Sequence, residues 1–216
     1  SRTTGDLVER KDAQALLDMF CGAAWRCADP GVQYDSTITD WHTCPNTDRI
    51  RASNPCSEYM FLDDTACNLA SINLLKFLDE DGNFDVDAFR HCCRIFILAQ
   101  EILVDFSSYP TRSIARNSHD YRPLGLGYAN LGAMLMVLGI PYDSPQGTAT
   151  CGAITAIMTG QAYRTSAEIA RDKGPFPGYA ANDVPFMQVM QKHRDAVDSI
   201  NAEFCPSVLL NAARQD

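Results

Sequence analysis

The order of apolar and polar positions along the chain predicts a run of helices interrupted by short strands. In KDAQALLDMFCGAAWRCADPG, the residues Leu16, Leu17, Phe20, Ala23, Ala24 and Cys27 recur at helical spacing, and Pro30-Gly31 ends the helix. VQY after it reads as a short strand. Residues 35–55 are polar, hold Pro45 and Asn46, and read as a long loop, a length that in a folded domain usually signals function. TACNLASINLL alternates as a strand, with Cys67, Leu69, Ser71 and Asn73 on one face. DEDGNF is a turn, and DVDAFRHCCRIFILAQEILVDFSS is a long helix opened by acidic residues, as the helix dipole favours. RPLGLGYAN reads as a buried strand running into the helix LGAMLMVLGI, which ends near Gly139 and Pro141. Two more helices follow over 145–173 and 184–203, the second with Asp183 near its N-cap and Pro185 in its first turn. Helices dominate and the strands are separated, so the fold class is helix-rich α/β.

Composition narrows what such a fold can do. The chain has 216 residues, 46% hydrophobic and 21% charged, enough to bury a core and compatible with one large domain or two small ones. A formal charge of −9 argues against a nucleic-acid partner while leaving a nucleotide substrate open. No apolar run reaches membrane-spanning length, so no membrane partner is expected. The start SRTTGDLVERKDAQ lacks an initiator Met and a signal segment, and NAARQD closes on a helical pattern without a turn. Both suggest a piece of a longer protein. Nine cysteines, an odd number without CxxC spacing, are not a secreted disulfide framework. They fit a reducing, cytoplasmic location, with most thiols acting as small hydrophobes. His42 with Cys44, and His91 with Cys92 and Cys93, lack zinc-ligand spacing, so no metal site is assigned.

The stretch SNPCSEY carries the densest chemistry. In an extended segment Asn54, Cys56 and Glu58 project from one face, about 7 Å apart; in a helix they diverge. Pro55 disfavours helix at Asn54 and cannot donate to a ladder, which favours an extended segment or a loop tip. A carboxylate beside a thiol raises the thiol pKa, so the arrangement suits a cysteine acting as S–H or sulfur radical beside a separate base. An ordinary loop with a buried cysteine and a solvated glutamate fits the same seven residues. GLGYANLG has the spacing GxGxxxxG, which departs from the dinucleotide fingerprint, and reads as tight strand-to-helix packing. WHTCPN sets an aromatic, an imidazole and a thiol in the long loop, either bordering a pocket or simply solvated.

RASNPCSEYMFLDDTACNLASINLLKF resembles the active-site segment of the ribonucleotide reductase large subunit: Asn-x-Cys-x-Glu, then a second cysteine opening an Asn- and Leu-rich strand. GVQYDSTITDWHTCPNTDRI before it and DYRPLGLGYANLGAMLMVLGIPYDS after it are similar to the same family at corresponding places. The resemblance covers most of residues 13–175. Proline after the motif asparagine resembles the adenosylcobalamin-dependent, class II members.

The resemblance implies that residues 1–216 are part of a ten-stranded α/β barrel whose central finger loop lies near 50–66. It implies a thiyl radical on Cys56 that abstracts the ribose 3′ hydrogen, and Glu58 as the base for the 3′-hydroxyl proton. Asn54 would orient the substrate, with Ser53, Asn54, Pro55, Cys56, Ser57 and Glu58 lining its site. Cys67 would be one half of a redox-active pair whose partner lies upstream of Ser1. Adenosylcobalamin would be the cofactor, a ribonucleotide (leaning to diphosphates) the substrate, and an external dithiol such as thioredoxin the reductant, in a homodimer. The family's phosphate-binding loop is absent from these residues, so the site would be incomplete. Two readings outside radical chemistry compete: a thiol–disulfide switch pairing Cys56 with Cys67, and a helical interaction module whose cysteines fill its core.

Overall fold

The computed structural model describes residues 1 and 3–215 and divides the chain into two units, Ser1–Asp40 and Trp41–Asp216. In the first, helix α1 (Ala13–Cys27) starts where the Asp12 carboxylate accepts from the Ala15 N–H, and ends at Ala28 in the left-handed region. None of its side chains is buried. VQY forms no strand, and Asp35–Asp40 forms a short helix, α2, where a loop was expected.

The second unit is built on one β–α–β crossover. Strand β1 (Asn68–Asn73) runs parallel to β2 (Leu124–Ala129), in the register Asn68 opposite Leu124 through Asn73 opposite Ala129. Among the described residues these two strands make up the sheet. Parallel strands need a long connection. Here it is a 3₁₀ turn (Leu74–Phe77), the hairpin closed by the Leu78–Phe84 bridge, and helices α3 (Val86–Phe106) and α4 (Arg112–Tyr121). After β2 come α5 (Leu131–Val137), α6 (Pro145–Lys173), α7 (Tyr179–Val197) and α8 (Ser207–Gln215). The molecule is helix-rich α/β, as its sequence pattern predicts.

The core lies between the sheet, α3, α6 and α8, around Leu74, Phe89, Cys93, Met134, Ile154 and Ile157. Gly125 leaves room for the Leu69 side chain and the Cys67 sulfur beside it. A Cβ there would stand 2.4 Å from Leu69 Cδ2 and 2.9 Å from the Cys67 sulfur. The expected strand-to-helix packing is not what this glycine motif provides: at Gly125 side chains of the neighbouring strand segment fill the space, while Gly127 has open space beside it. On β1, Leu69 and Ser71 share the exposed face and Ile72 points inward.

Helix α7 is capped at Gly178, five residues before the expected cap, and ends at Val197 where 203 was expected, so Pro185 falls inside it. A proline there removes the N–H that would bond the carbonyl of residue 181. The Asn46 amide supplies the missing donor, at 2.8 Å from the Ala181 oxygen. Beside it, the fully buried Asn182 accepts from the Asn46 N–H (3.0 Å) and donates to Thr47 Oγ1 (2.8 Å) and to the Gly178 carbonyl (2.9 Å). The loop carrying WHTCPN is thus docked on α7 through polar contacts. Its His42 is buried, not solvated, with Nε2 bonded to the Asp48 carbonyl at 2.8 Å.

Asn182→Ala in the full-length protein is expected to leave the Asn46 N–H without its acceptor and the Gly178 carbonyl without its side-chain donor, at roughly 1–3 kcal/mol. Native-state proteolysis of the 41–50 segment should then quicken about ten- to hundredfold, since 1.4 kcal/mol is a factor of ten. Cleavage at the wild-type rate would show that this latch does not hold the loop.

Candidate active site

The segment leading to Cys56 is held at both ends. Arg51 bonds both Asp48 oxygens at 2.7 Å and reaches Asp63 at 3.2 Å, so one guanidinium ties the two sides of the loop together. On the far side Asn117 of α4 donates to the Asp63 carbonyl (3.2 Å), and the Ala66 N–H donates to the buried Ser118 hydroxyl (3.0 Å). Tyr121 reaches back to Thr47 at 2.9 Å. Helix α4 is itself fixed by Arg122, which bonds Glu101 at 2.5 Å and Asp105 at 2.8 Å on α3.

Between these anchors SNPCSEY folds as a tight turn and not as an extended row. The Ser57 N–H donates to the Asn54 carbonyl at 3.1 Å, and Ser57 takes a left-handed φ of 67°. The Asn54 N–H bonds the Tyr59 carbonyl (3.3 Å), while its side-chain oxygen accepts from the Tyr59 N–H (2.9 Å). The turn reverses the chain and brings Asn54 and Glu58 together: the Asn54 amide bonds the Glu58 carboxylate. That bond, followed by a backbone N–H, holds the Glu58 carboxyl below its ordinary pKa. Cys56 sits in the turn with its side chain exposed, as do Pro55, Ser57 and Glu58, whereas Ser53 and Asn54 are half-buried.

Cys67, just before β1, is half-buried, and its pKa is pushed up to about 11 by desolvation and then by the charge of Glu58. Glu58 and Cys67 are therefore within electrostatic reach of each other. Tyr59 joins them: its hydroxyl bonds Thr65 Oγ1 at 2.7 Å, and burial lifts it to about 12. The thiol whose pKa a carboxylate raises is thus Cys67. No disulfide links cysteines among the described residues.

Sequence reasoning singled out Asn54, Cys56, Glu58 and Cys67 and missed their supports, Arg51, Tyr59 and Ser118. Only Arg51 left a local signal, an acidic partner three residues before it. The turn had one too: Asn followed by Pro is a preferred start for a β-turn. Among the described residues no helix is long and apolar enough to cross a membrane.

Comparison with known proteins adds to this geometry. A vitamin B12-dependent ribonucleotide reductase of Rhodopirellula baltica is 60% identical over 203 residues, which is 94% of this chain and 19% of the relative. One of the same name from Streptomyces clavuligerus is 53% identical over 92% of the chain and 21% of its own length. A vitamin B12-dependent ribonucleoside-diphosphate reductase of Mycobacterium tuberculosis is 34% identical over 82% of the chain and 25% of its length. The chain thus spans about a fifth to a quarter of these curated relatives. The family description "Ribonucleotide reductase, barrel domain" matches residues 2–205, and this chain belongs to that family.

Proposed function

We propose that the chain is a section of the catalytic barrel of a vitamin B12-dependent ribonucleotide reductase, acting on ribonucleoside diphosphates by thiyl-radical chemistry. The carrying observation is the turn that exposes Cys56 while pairing Asn54 with Glu58, with Cys67 in electrostatic reach of that carboxylate. The name of the Mycobacterium tuberculosis relative supports the diphosphate. The parallel pair β1–β2 would be two strands of a ten-stranded barrel, and the loop between Arg51 and Thr65 its finger. Soluble expression as a homodimer and re-reduction by a thioredoxin-like dithiol belong to the same proposal.

Each residue type suits its step. A thiol S–H and a ribose C–H are close enough in bond strength to exchange a hydrogen atom reversibly, so Cys56 takes the 3′ hydrogen as a thiyl and later returns it. Adenosylcobalamin, when bound, supplies the radical that starts this chemistry. The residues fit such a group in one respect: Cys56 presents its thiol at an exposed turn and is not packed in the core. Glu58 accepts the 3′-hydroxyl proton. With Asn54 bonded to it, Glu58 is a weak base. A substrate that draws the Asn54 amide to itself removes the main cause of that depression, so base strength rises when the substrate arrives. The 2′ hydroxyl leaves as water, and Cys67 with an upstream cysteine gives up two electrons and two protons to become a disulfide. The raised pKa of Cys67 keeps its S–H intact until then.

Deoxynucleotide formation tests the proposal. The full-length protein with a ribonucleoside diphosphate, adenosylcobalamin and a dithiol is expected to turn over. The 216-residue piece alone is expected to be inactive and to scatter light, because an incomplete barrel leaves strand edges open. A full-length protein inactive with the cobalamin, or a soluble, monomeric, active piece, would overturn it.

A further inference from the structure

We propose that Gln100 is a positioning residue for the Cys67 thiol. Gln100 lies on α3, is 2% exposed, and projects its amide between the starts of the two strands. Its Nε2 donates to the Asn68 carbonyl at 3.0 Å and to the Gly125 carbonyl at 2.7 Å. In return the Asn68 side chain donates to the Gln100 main-chain carbonyl at 3.1 Å. Helix and strand are locked by reciprocal bonds at one point.

That point is where Cys67 rests. Its S–H contacts the Asn68 carbonyl at 3.7 Å, the same oxygen that Gln100 holds. Its sulfur lies against Gly125, where a Cβ would come within 2.9 Å, and the Gly125 carbonyl is the second acceptor of Gln100. One buried amide therefore fixes both the oxygen that the thiol touches and the backbone it packs on. The side chain cannot turn over at no cost, since an amide oxygen facing two carbonyls would meet only acceptors. Gln100 Oε1 and Asn68 Oδ1 have no partner among the described residues. The two amides are thus held by their donors alone.

This rests on Cys67 being a reductant of the proposed reaction. Thiol pairs close a disulfide only within a narrow geometry, with Cα atoms about 4.4–6.8 Å apart. A sulfur freed from its seat meets its partner less often. Nothing in the Gln100 contacts touches Cys56, Asn54 or Glu58, so the early steps should not depend on it.

Gln100→Met, similar in size but without donors, tests this in the full-length protein. Steady-state reduction is expected to fall by about a hundredfold, the scale of an ångström-level misplacement. KM and 3′-hydrogen exchange should stay near wild type. Asn68→Ala removes only the reciprocal bond and should show the same split more weakly, which keeps the test open if Gln100→Met does not fold. Exchange lost in step with reduction would mean general structural damage and would overturn the assignment, as would wild-type turnover in the folded variants. Repeated turnover by Cys67→Ser would instead remove Cys67 from the reaction, a separate failure.

Discussion

Cys56→Ser in the full-length protein is expected to abolish ribonucleotide reduction while nucleotide binding survives. The substitution is nearly isosteric, and the side chain is exposed in a turn closed by main-chain atoms, so nothing around it has to repack. What changes is the bond: an O–H is too strong to exchange a hydrogen atom with ribose carbon. Loss is expected at every pH, because a serine hydroxyl does not become a hydrogen-atom carrier by ionising. Deoxynucleotide formation against the isotherm of a bound ribonucleotide separates the two quantities. Turnover retained in the variant would sink the thiyl role.

Cys67→Ser is expected to fail later in the reaction. Radical formation and 3′-hydrogen exchange should persist, while repeated two-electron reduction should stop, again by orders of magnitude. The difference follows from position. Cys56 stands at an exposed turn, whereas Cys67 opens a strand, half-buried against Gly125, beside a carboxylate. With a pKa near 11, Cys67 is almost wholly S–H at neutral pH and should alkylate slowly there, faster as pH climbs toward that value. If the serine variant cycled normally with the wild-type reductant, Cys67 would be a packing residue.

How far these residues could be read from sequence depended on whether their reasons were local. Helix α6 was legible at both ends because Ser144 caps it, Pro145 opens it and Gly174 closes it, all within a residue of the boundary. Helix α4 went unread: RSIARNSHDY is polar, and what holds it is Arg122 reaching Glu101 and Asp105 on another helix. VQY has strand-like residues but takes up no strand. The chemistry-bearing types around Cys56 were visible as types, while their arrangement was not. Alternation suggested a row, and the Ser57 turn made a pair of Asn54 and Glu58. Cys67 was legible as the opening of a strand; its seat depends on Gln100, more than thirty positions away.

The same distance has a consequence for how the chain assembles at the ribosome. The carbonyl that receives Asn46 is vacant only because Pro185 stands one turn beyond it, and it is correctly aimed only once α7 has formed. The Asn46 side chain therefore has no carbonyl to dock on until some 135 further residues have been made. At ordinary elongation rates that is on the order of ten seconds of synthesis. Throughout that interval the Asn46 side chain just upstream of the Cys56 turn is nascent chain awaiting the helix that receives it.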